Sequence, residues 1–172
     1  MKIYIHNKDI LDVTEADTIV LPVDGKGPGL EGNIARRFLK RVDFDGLHEL
    51  YAPPPVYPFN GRGHWSKIDG LESTHFDWIC SLGVLGHDQG VDHKAIARSA
   101  VHAMLTSADI SDMGTRLACP VLSAGWRTDP VSALYMMIAE GEEFPGSRVQ
   151  LHLAEPDKDR YDAFRTVVGG VG

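Results

Sequence analysis

The sequence predicts an α/β sandwich, with helices on both faces of a central sheet, and three observations lead there. Short apolar runs alternate along the chain with longer stretches whose apolar residues recur at three and four. Several of the short runs are apolar on consecutive residues, as strands covered on both sides are. One helical stretch opens on a clear capping residue, Asp129, and strand and helix follow one another in the alternation of a layered fold. With 172 residues and no linker-like boundary or internal repeat, residues 1–172 are expected to form a single domain.

The first strand is Lys2–His6, KIYIH, with period-two alternation, and the second is Thr18–Val23, TIVLPV, apolar almost throughout. A glycine-rich stretch, GKGPGLEGN, leads from it into a helix. That helix carries Ile34, Ala35, Phe38, Leu39 and Val42 on one side and Arg36, Arg37, Lys40 and Arg41 on the other. Residues 50–73 break the rhythm. Pro53, Pro54 and Pro55 exclude a helix there, so this segment is predicted as an extended, stiff loop insertion, either a lid over a site or plain surface. Inside it His64 and Trp65 either cover a bound base or begin an exposed strand. A third strand is predicted over 76–84, followed by a helix from about Asp92 to Ala108 with Ile96, Ala97, Ala100, Val101, Met104 and Leu105 inward. After the strand at 116–123, Asp129 is the expected N-cap of a helix, with Pro130 at its first position. Its buried stripe is Val131, Leu134, Tyr135 and Ile138, and Gly141 is its stop. A strand at 148–154 and a helix after Glu155-Pro156, carrying Tyr161, Phe164 and Val168 to Gly169-Gly170, close the chain.

Composition narrows the functional classes. At 43% hydrophobic and 24% charged residues, this is an ordinary globule rather than a disordered chain. A net charge of −7 argues against a surface that neutralises a nucleic-acid backbone. No apolar run approaches the roughly 18–20 residues that span a bilayer, and MKIYIHNKDI lacks the apolar segment of a secretory leader. A cytoplasmic protein without a membrane partner is therefore expected. Cys80 and Cys119 each sit inside an apolar run, the pattern of buried reduced thiols rather than of a disulfide or zinc framework. His87, Asp88, Asp92 and His93 can be drawn as a metal cluster, but their spacing matches no zinc motif and suits a solvated turn before a helix. No metal and no cofactor are expected.

Chemistry concentrates in two strand-to-helix turns. Glycines in the first let a ligand approach main-chain amides, and the first turn of the following helix adds unpaired N–H groups and positive potential. No Gly-Lys-Ser/Thr follows, so this is not a P-loop, and no acidic residue closes a second strand about 20 residues on, as a dinucleotide fingerprint requires. The second turn, Ser123-Ala-Gly-Trp-Arg-Thr-Asp-Pro130, again follows a buried strand and opens a helix. Facing one another at the carboxyl edge of the sheet, two such turns would suit a diphosphate.

Four stretches, in order, resemble the macro domains, a family that binds ADP-ribose and related nucleotides and includes members that remove ADP-ribose from proteins or acetyl esters. Lys8-Asp9-Ile10 resembles the Gly-Asp-Ile element whose aspartate contacts the adenine amine. Ala16-Asp17-Thr18-Ile19-Val20 resembles the second strand, and Gly29-Leu30-Glu31-Gly32-Asn33-Ile34 the loop cradling the distal ribose and phosphate. Pro120-Val121-Leu122-Ser123-Ala124-Gly125, with Pro130 behind it, resembles the diphosphate loop. The resemblance covers nearly the whole chain and implies a three-layer α/β/α sandwich with a mixed central sheet. Asp9, Ile10, Gly29, Leu30, Gly32, Asn33, Ser123, Ala124, Gly125, Trp126, Arg127 and Thr128 are then the expected ligand contacts.

Departures from the family pattern bear on the chemistry. The family's Asn-Ala-Ala-Asn falls on Leu21-Pro22-Val23-Asp24, so both asparagines are missing. The catalytic aspartate of the hydrolase branch falls on Glu31. Trp126-Arg127 replaces an aliphatic and an aromatic residue, and Thr128 a common glycine. The aromatic that stacks on adenine would fall near Ala154 or Glu155, with Tyr161 too far along the next helix to replace it. The resemblance implies binding of ADP-ribose or a related ADP-ribosyl nucleotide. One alternative is a hydrolase acting on mono-ADP-ribosyl groups or O-acetyl-ADP-ribose, in which Glu31 orients a water and Asp24, protonated beside it, holds a ribose hydroxyl. A further alternative keeps the fold for another nucleotide or phosphorylated ligand. Oligomeric state is not legible.

Overall fold

The computed structural model describes residues 1–23, 32–42, 56–59, 63–68, 71–84, 90, 92–111, 113–123 and 128–171. Strands β1 (Lys2–His6), β2 (Thr18–Val23), β3 (Val56–Phe59), β4 (Gly63–Lys67), β5 (Trp78–Gly83), β6 (Arg116–Pro120) and β7 (Gln150–Ala154) form one sheet in the order β1-β7-β6-β2-β5-β4-β3. β1, β7, β6, β2 and β5 run parallel, whereas β4 and β3 are antiparallel additions at one end, so the sheet is mixed.

Period-two alternation sorts the strand residues onto two covered faces. Val20, Cys80, Leu82, Leu117, Cys119, Leu151 and Leu153 meet three helices: α2 (His93–Ile110), α3 (Pro130–Glu142) and α4 (Lys158–Val171). Ile19, Leu21, Ile79 and Ala118 point the other way, against α1 (Asn33–Arg41) and the 3-10 turn Ile10–Asp12. The result is the three-layer α/β/α sandwich that the alternation and the resemblance implied. Cys80 and Cys119 are buried free thiols, and burial pushes both thiol pKa values up, which keeps them unreactive. Between α2 and α3 the carboxylate of Glu140, 4% exposed, accepts from Arg98 Nε at 2.5 Å and meets His102 Nδ1 at 3.0 Å.

The structure corrects several expectations. The proline-rich segment is not loop alone, because Val56–Phe59 and Gly63–Lys67 pair as β3 and β4 and extend the sheet beyond β5; Pro53–Pro55 lie outside the described residues. Trp65 is fully buried rather than at an exposed strand start, and its Nε1 donates to Ser107 Oγ on α2 at 2.7 Å. Tyr135 is 54% exposed, whereas Leu134 and Ile138 are buried and Val131 packs half-buried against the core as expected; Ala133 and Met137 complete the inward face of α3. Asp129 does cap α3, accepting from Ser132 N at 2.9 Å. Gly141 does not stop that helix. It is buried within the last turn, where a Cβ would meet Ile3 at 3.5 Å, and the left-handed residue beyond the helix is Gly146, at φ +79°. Nor do Gly169 and Gly170 end α4, which runs to Val171.

One polar cluster on the sheet carries a pH dependence. His6 Nε2 lies 2.9 Å from His152 Nδ1, His152 Nε2 lies 3.2 Å from Gln150 Oε1, and Tyr4 stacks on His152 at 4.8 Å. The chain of bonds closes with hydrogen on Nε2 of both neutral rings; a second proton on His152 would set two donors face to face. Burial lowers both pKa values below the ordinary 6.5, with Glu15 opposing the shift at His6 and the His6 charge adding to it at His152. Below 6.5 the unfolded chain therefore binds more protons than the folded one, and stability falls as pH falls through the lowered values. Thermal unfolding followed from about pH 8 to about pH 5 is expected to show that decline, and His152→Phe is expected to flatten it.

Candidate functional site

The sheet opens a crevice at its carboxyl edge. β2 pairs with β5 over six positions but with β6 over only two, Thr18↔Leu117 and Ile19↔Ala118, so β2 and β6 part beyond their first residues. Pro22 on β2 and Pro120 on β6 stand at the parted ends, and a proline has no N–H to extend a ladder. The chain order also reverses between these neighbours, and such switch points are where open α/β sheets take ligands. A cleft of ≈ 370 Å³ sits there, within the usual size of small-molecule sites. It is lined by the carboxyl ends of β2, β6 and β7 through Pro22, Pro120 and Ala154, by the start of α1 through Asn33 and Ile34, by Ser123 before α3 and by Pro130 at the first position of that helix.

Among the expected ligand contacts, Asp9, Ile10, Asn33 and Ser123 line this one cleft although they are far apart in sequence. Gly32 is the N-cap of α1 with no side-chain cap, and a Cβ on it would stand 2.4 Å from the Pro22 carbonyl oxygen. Glycine is thus required where the helix start closes onto the end of β2, and it brings no side chain of its own to cap the first-turn amides of α1. The second turn differs. Thr128 N donates to the Ser123 carbonyl at 3.1 Å, drawing its base together, but Asp129 already spends a carboxylate on the first turn of α3. The Thr128 hydroxyl is buried without a hydrogen-bond partner among the described residues. Asp24, Gly29, Leu30, Glu31, Ala124, Gly125, Trp126 and Arg127 lie outside the described residues, as do His87 and Asp88.

Two guanidinium groups at the cleft were not anticipated. Arg37, on the helix face expected to be solvated, pairs with Asp9 Oδ2, while Asp9 Oδ1 accepts from Leu11 N at 3.0 Å and so caps the 3-10 turn. One turn on, Arg41 reaches Asp12 at 2.8 Å and the Leu11 carbonyl at 3.2 Å. The basic face of α1 therefore clamps the 3-10 turn. Arg160 is held by Glu155 at 3.0 Å, and that bond raises its pKa further above the ordinary value. Nothing in either arginine's neighbours in sequence distinguishes it from a surface residue; the acid and base meet only once the strand ends and helix starts are assembled. Tyr161 does not line the cleft but lies 5.5 Å from Lys158 Nζ and 5.9 Å from the Arg165 guanidinium.

No set of three or more potential metal ligands occurs among the described residues, and no helix among them is long and apolar enough to cross a membrane. No family model and no curated protein sequence matches the chain. The fold, however, is shared with solved macrodomains. A Trypanosoma brucei macrodomain superimposes with a TM-score of 0.73 at 16% identity, covering 97% of this chain and 67% of the other. The structure of a Trypanosoma brucei macrodomain in complex with ADP-ribose gives 0.70 at 16% identity, over 97% and 69%. The macrodomain of Mycobacterium tuberculosis DarG gives 0.61 at 14% identity, over 90% of this chain and 98% of that one. This chain has the macrodomain fold.

Proposed function

Proceeding from that fold, we propose that the chain binds ADP-ribose or a related ADP-ribosyl nucleotide in the cleft at the carboxyl edge of its sheet. The observation that carries the reading is the convergence of Asp9, Asn33 and Ser123 on one cavity beside an uncapped helix start closed tightly onto β2 by Gly32. Main-chain amides at that helix start grip phosphate at short range. The net charge of −7 does not oppose this strongly, because exposed charges are screened beyond about 8 Å at physiological salt. The ADP-ribose complex of a neighbour with the same fold supports the choice of ligand. In this reading the whole chain works as one macro-like domain, Gly29, Leu30, Ala124, Gly125, Trp126, Arg127 and Thr128 complete the two ligand loops, and the protein acts in the cytoplasm.

Calorimetry with ADP-ribose, AMP and NAD tests it. Saturable ADP-ribose binding in the micromolar range is expected, and silence with all three nucleotides would overturn the reading. Turnover is a separate matter. Glu31 stands next to Gly32 in sequence, and with Asp24 it supplies the carboxylates that a hydrolase would use to orient water against the anomeric carbon. Glu31→Ala is expected to leave most of the affinity for ADP-ribose intact. If the protein also releases ADP-ribose from a modified protein or from O-acetyl-ADP-ribose, the same variant is expected to lose the rate at least about tenfold, as removal of a group needed in the transition state does.

A further inference from the structure

A cation on α1 lies in the cleft. Asn33, Arg37 and Arg41 recur every four residues along that helix and so form one stripe, with Cβ atoms about 5–6 Å apart from one to the next. Asn33 lines the cleft at the helix start, and Arg41, at the far end, is turned onto Asp12 and the Leu11 carbonyl. Arg37 stands between them and lines the cleft. Its Nη2 donates to Asp9 Oδ2, which leaves most of its five N–H donors for something else, because no other partner for it is present among the described residues.

Side chains on a helix lean toward its N-terminus, so the reach of Arg37 is toward the start of α1, where the first-turn amides are read as gripping phosphate. Asp9 serves this placement rather than opposing it. One carboxylate oxygen is held by Leu11 N at 3.0 Å and the other holds Arg37, so the guanidinium masks the acid within the cleft. Without Arg37 a diphosphate would enter beside a bare carboxylate. A guanidinium also matches the paired oxygens of a phosphate and bonds them more strongly than it bonds neutral groups. We propose that Arg37 is the cation that meets the diphosphate in this cleft, held ready by Asp9 and reaching back from the second turn of α1. This role rests on the nucleotide reading of the site and adds a charged grip to that of the main-chain amides.

Salt separates this role from a structural one. The Arg37 side chain is 40% exposed, so ions screen its attraction for phosphate, whereas packing responds far less. Calorimetry with ADP-ribose is run on the wild type, Arg37→Met and Arg37→Lys between about 50 mM and about 500 mM sodium chloride, with thermal unfolding of each. Arg37→Met is expected to bind roughly 10- to 100-fold more weakly than the wild type at the low-salt end, the range for a hydrogen bond to a charged group, and the ratio should shrink as salt rises. Arg37→Lys keeps the charge and is expected to lose far less. The same comparison in Asp9→Asn, whose amide oxygen can still accept from Leu11 N, should show the ratio again with the acid removed. A ratio near one at every salt concentration overturns the role, as does a loss that salt leaves unchanged, which belongs to a brace for the 3-10 turn. Disappearance of the ratio in Asp9→Asn also overturns it, because Arg37 would then act only by masking Asp9. Absence of binding by the wild type is a different failure, seen before any variant is made, and removes the nucleotide reading together with this one.

Discussion

Replacing Trp65 with alanine lowers folding stability by about 3–5 kcal/mol, the range for emptying a buried tryptophan site, against a total of about 5–15 kcal/mol for a typical domain. The indole is fully buried, with its ring edge near Gly114, where a Cβ would stand 3.2 Å from Cζ3, and its Nε1 donates to Ser107 Oγ on α2. It therefore ties the antiparallel end of the sheet to the helix layer, and its loss leaves both a cavity and an orphaned hydroxyl. For a chain of this length the melting temperature should fall on the order of 10 °C. Trp65→Phe refills much of the space but removes the N–H, so a loss of about 1–2 kcal/mol is expected from the unpaired Ser107. Denaturant titration of both variants checks the pair of values. A loss below about 1 kcal/mol for Trp65→Ala would show that the indole does not fill this part of the core.

The same residue shows where sequence stopped being informative. Lys2–His6 and Thr18–Val23 were legible to the residue, the first by its period-two alternation and the second because its apolar run fits a strand covered on both faces. The run GHWSK carries no such pattern: buried Trp65 and Ser66 are consecutive, and its place in the sheet comes from pairing with β5 rather than from its own alternation. The three prolines before it masked the hairpin further. At the cleft, Asp9 and Asn33 were legible through their neighbours in sequence, whereas the partners that orient Asp9 and Arg160 were not. Arg37 is 28 positions from Asp9 and looks like one more charge on a solvated helix face. Glu155 and Arg160 are only five apart, but one follows the last residue of β7 and the other lies in the first turn of α4, so neither period places them together.

If the cleft takes ADP-ribose as proposed, Gly32→Ala is expected to weaken that binding roughly 5- to 150-fold while the sheet stays folded. At φ −70° and ψ 158° the backbone of Gly32 is extended and suits any residue, so no dihedral strain arises and the whole effect is contact. The new Cβ would stand 2.4 Å from the Pro22 carbonyl oxygen, and that oxygen belongs to a strand fixed to β5 over six registered positions. The strand cannot yield cheaply, so the start of α1 must lift, carrying Asn33 and Ile34 and the first-turn amides away from the cleft. Overpacking of this kind costs about 1–3 kcal/mol, which is roughly a 5- to 150-fold change if it falls on the bound state. Gly146→Ala is the matching control. Its φ of +79° resists a side chain though nothing lies within 4 Å, so stability should drop by about 1–2 kcal/mol with affinity unchanged. Parallel calorimetry and thermal unfolding of the two variants separate a ligand contact surface from a general loss of stability. Wild-type affinity in Gly32→Ala would mean that the start of α1 does not hold the phosphate, and the grip would have to come from the turn before α3.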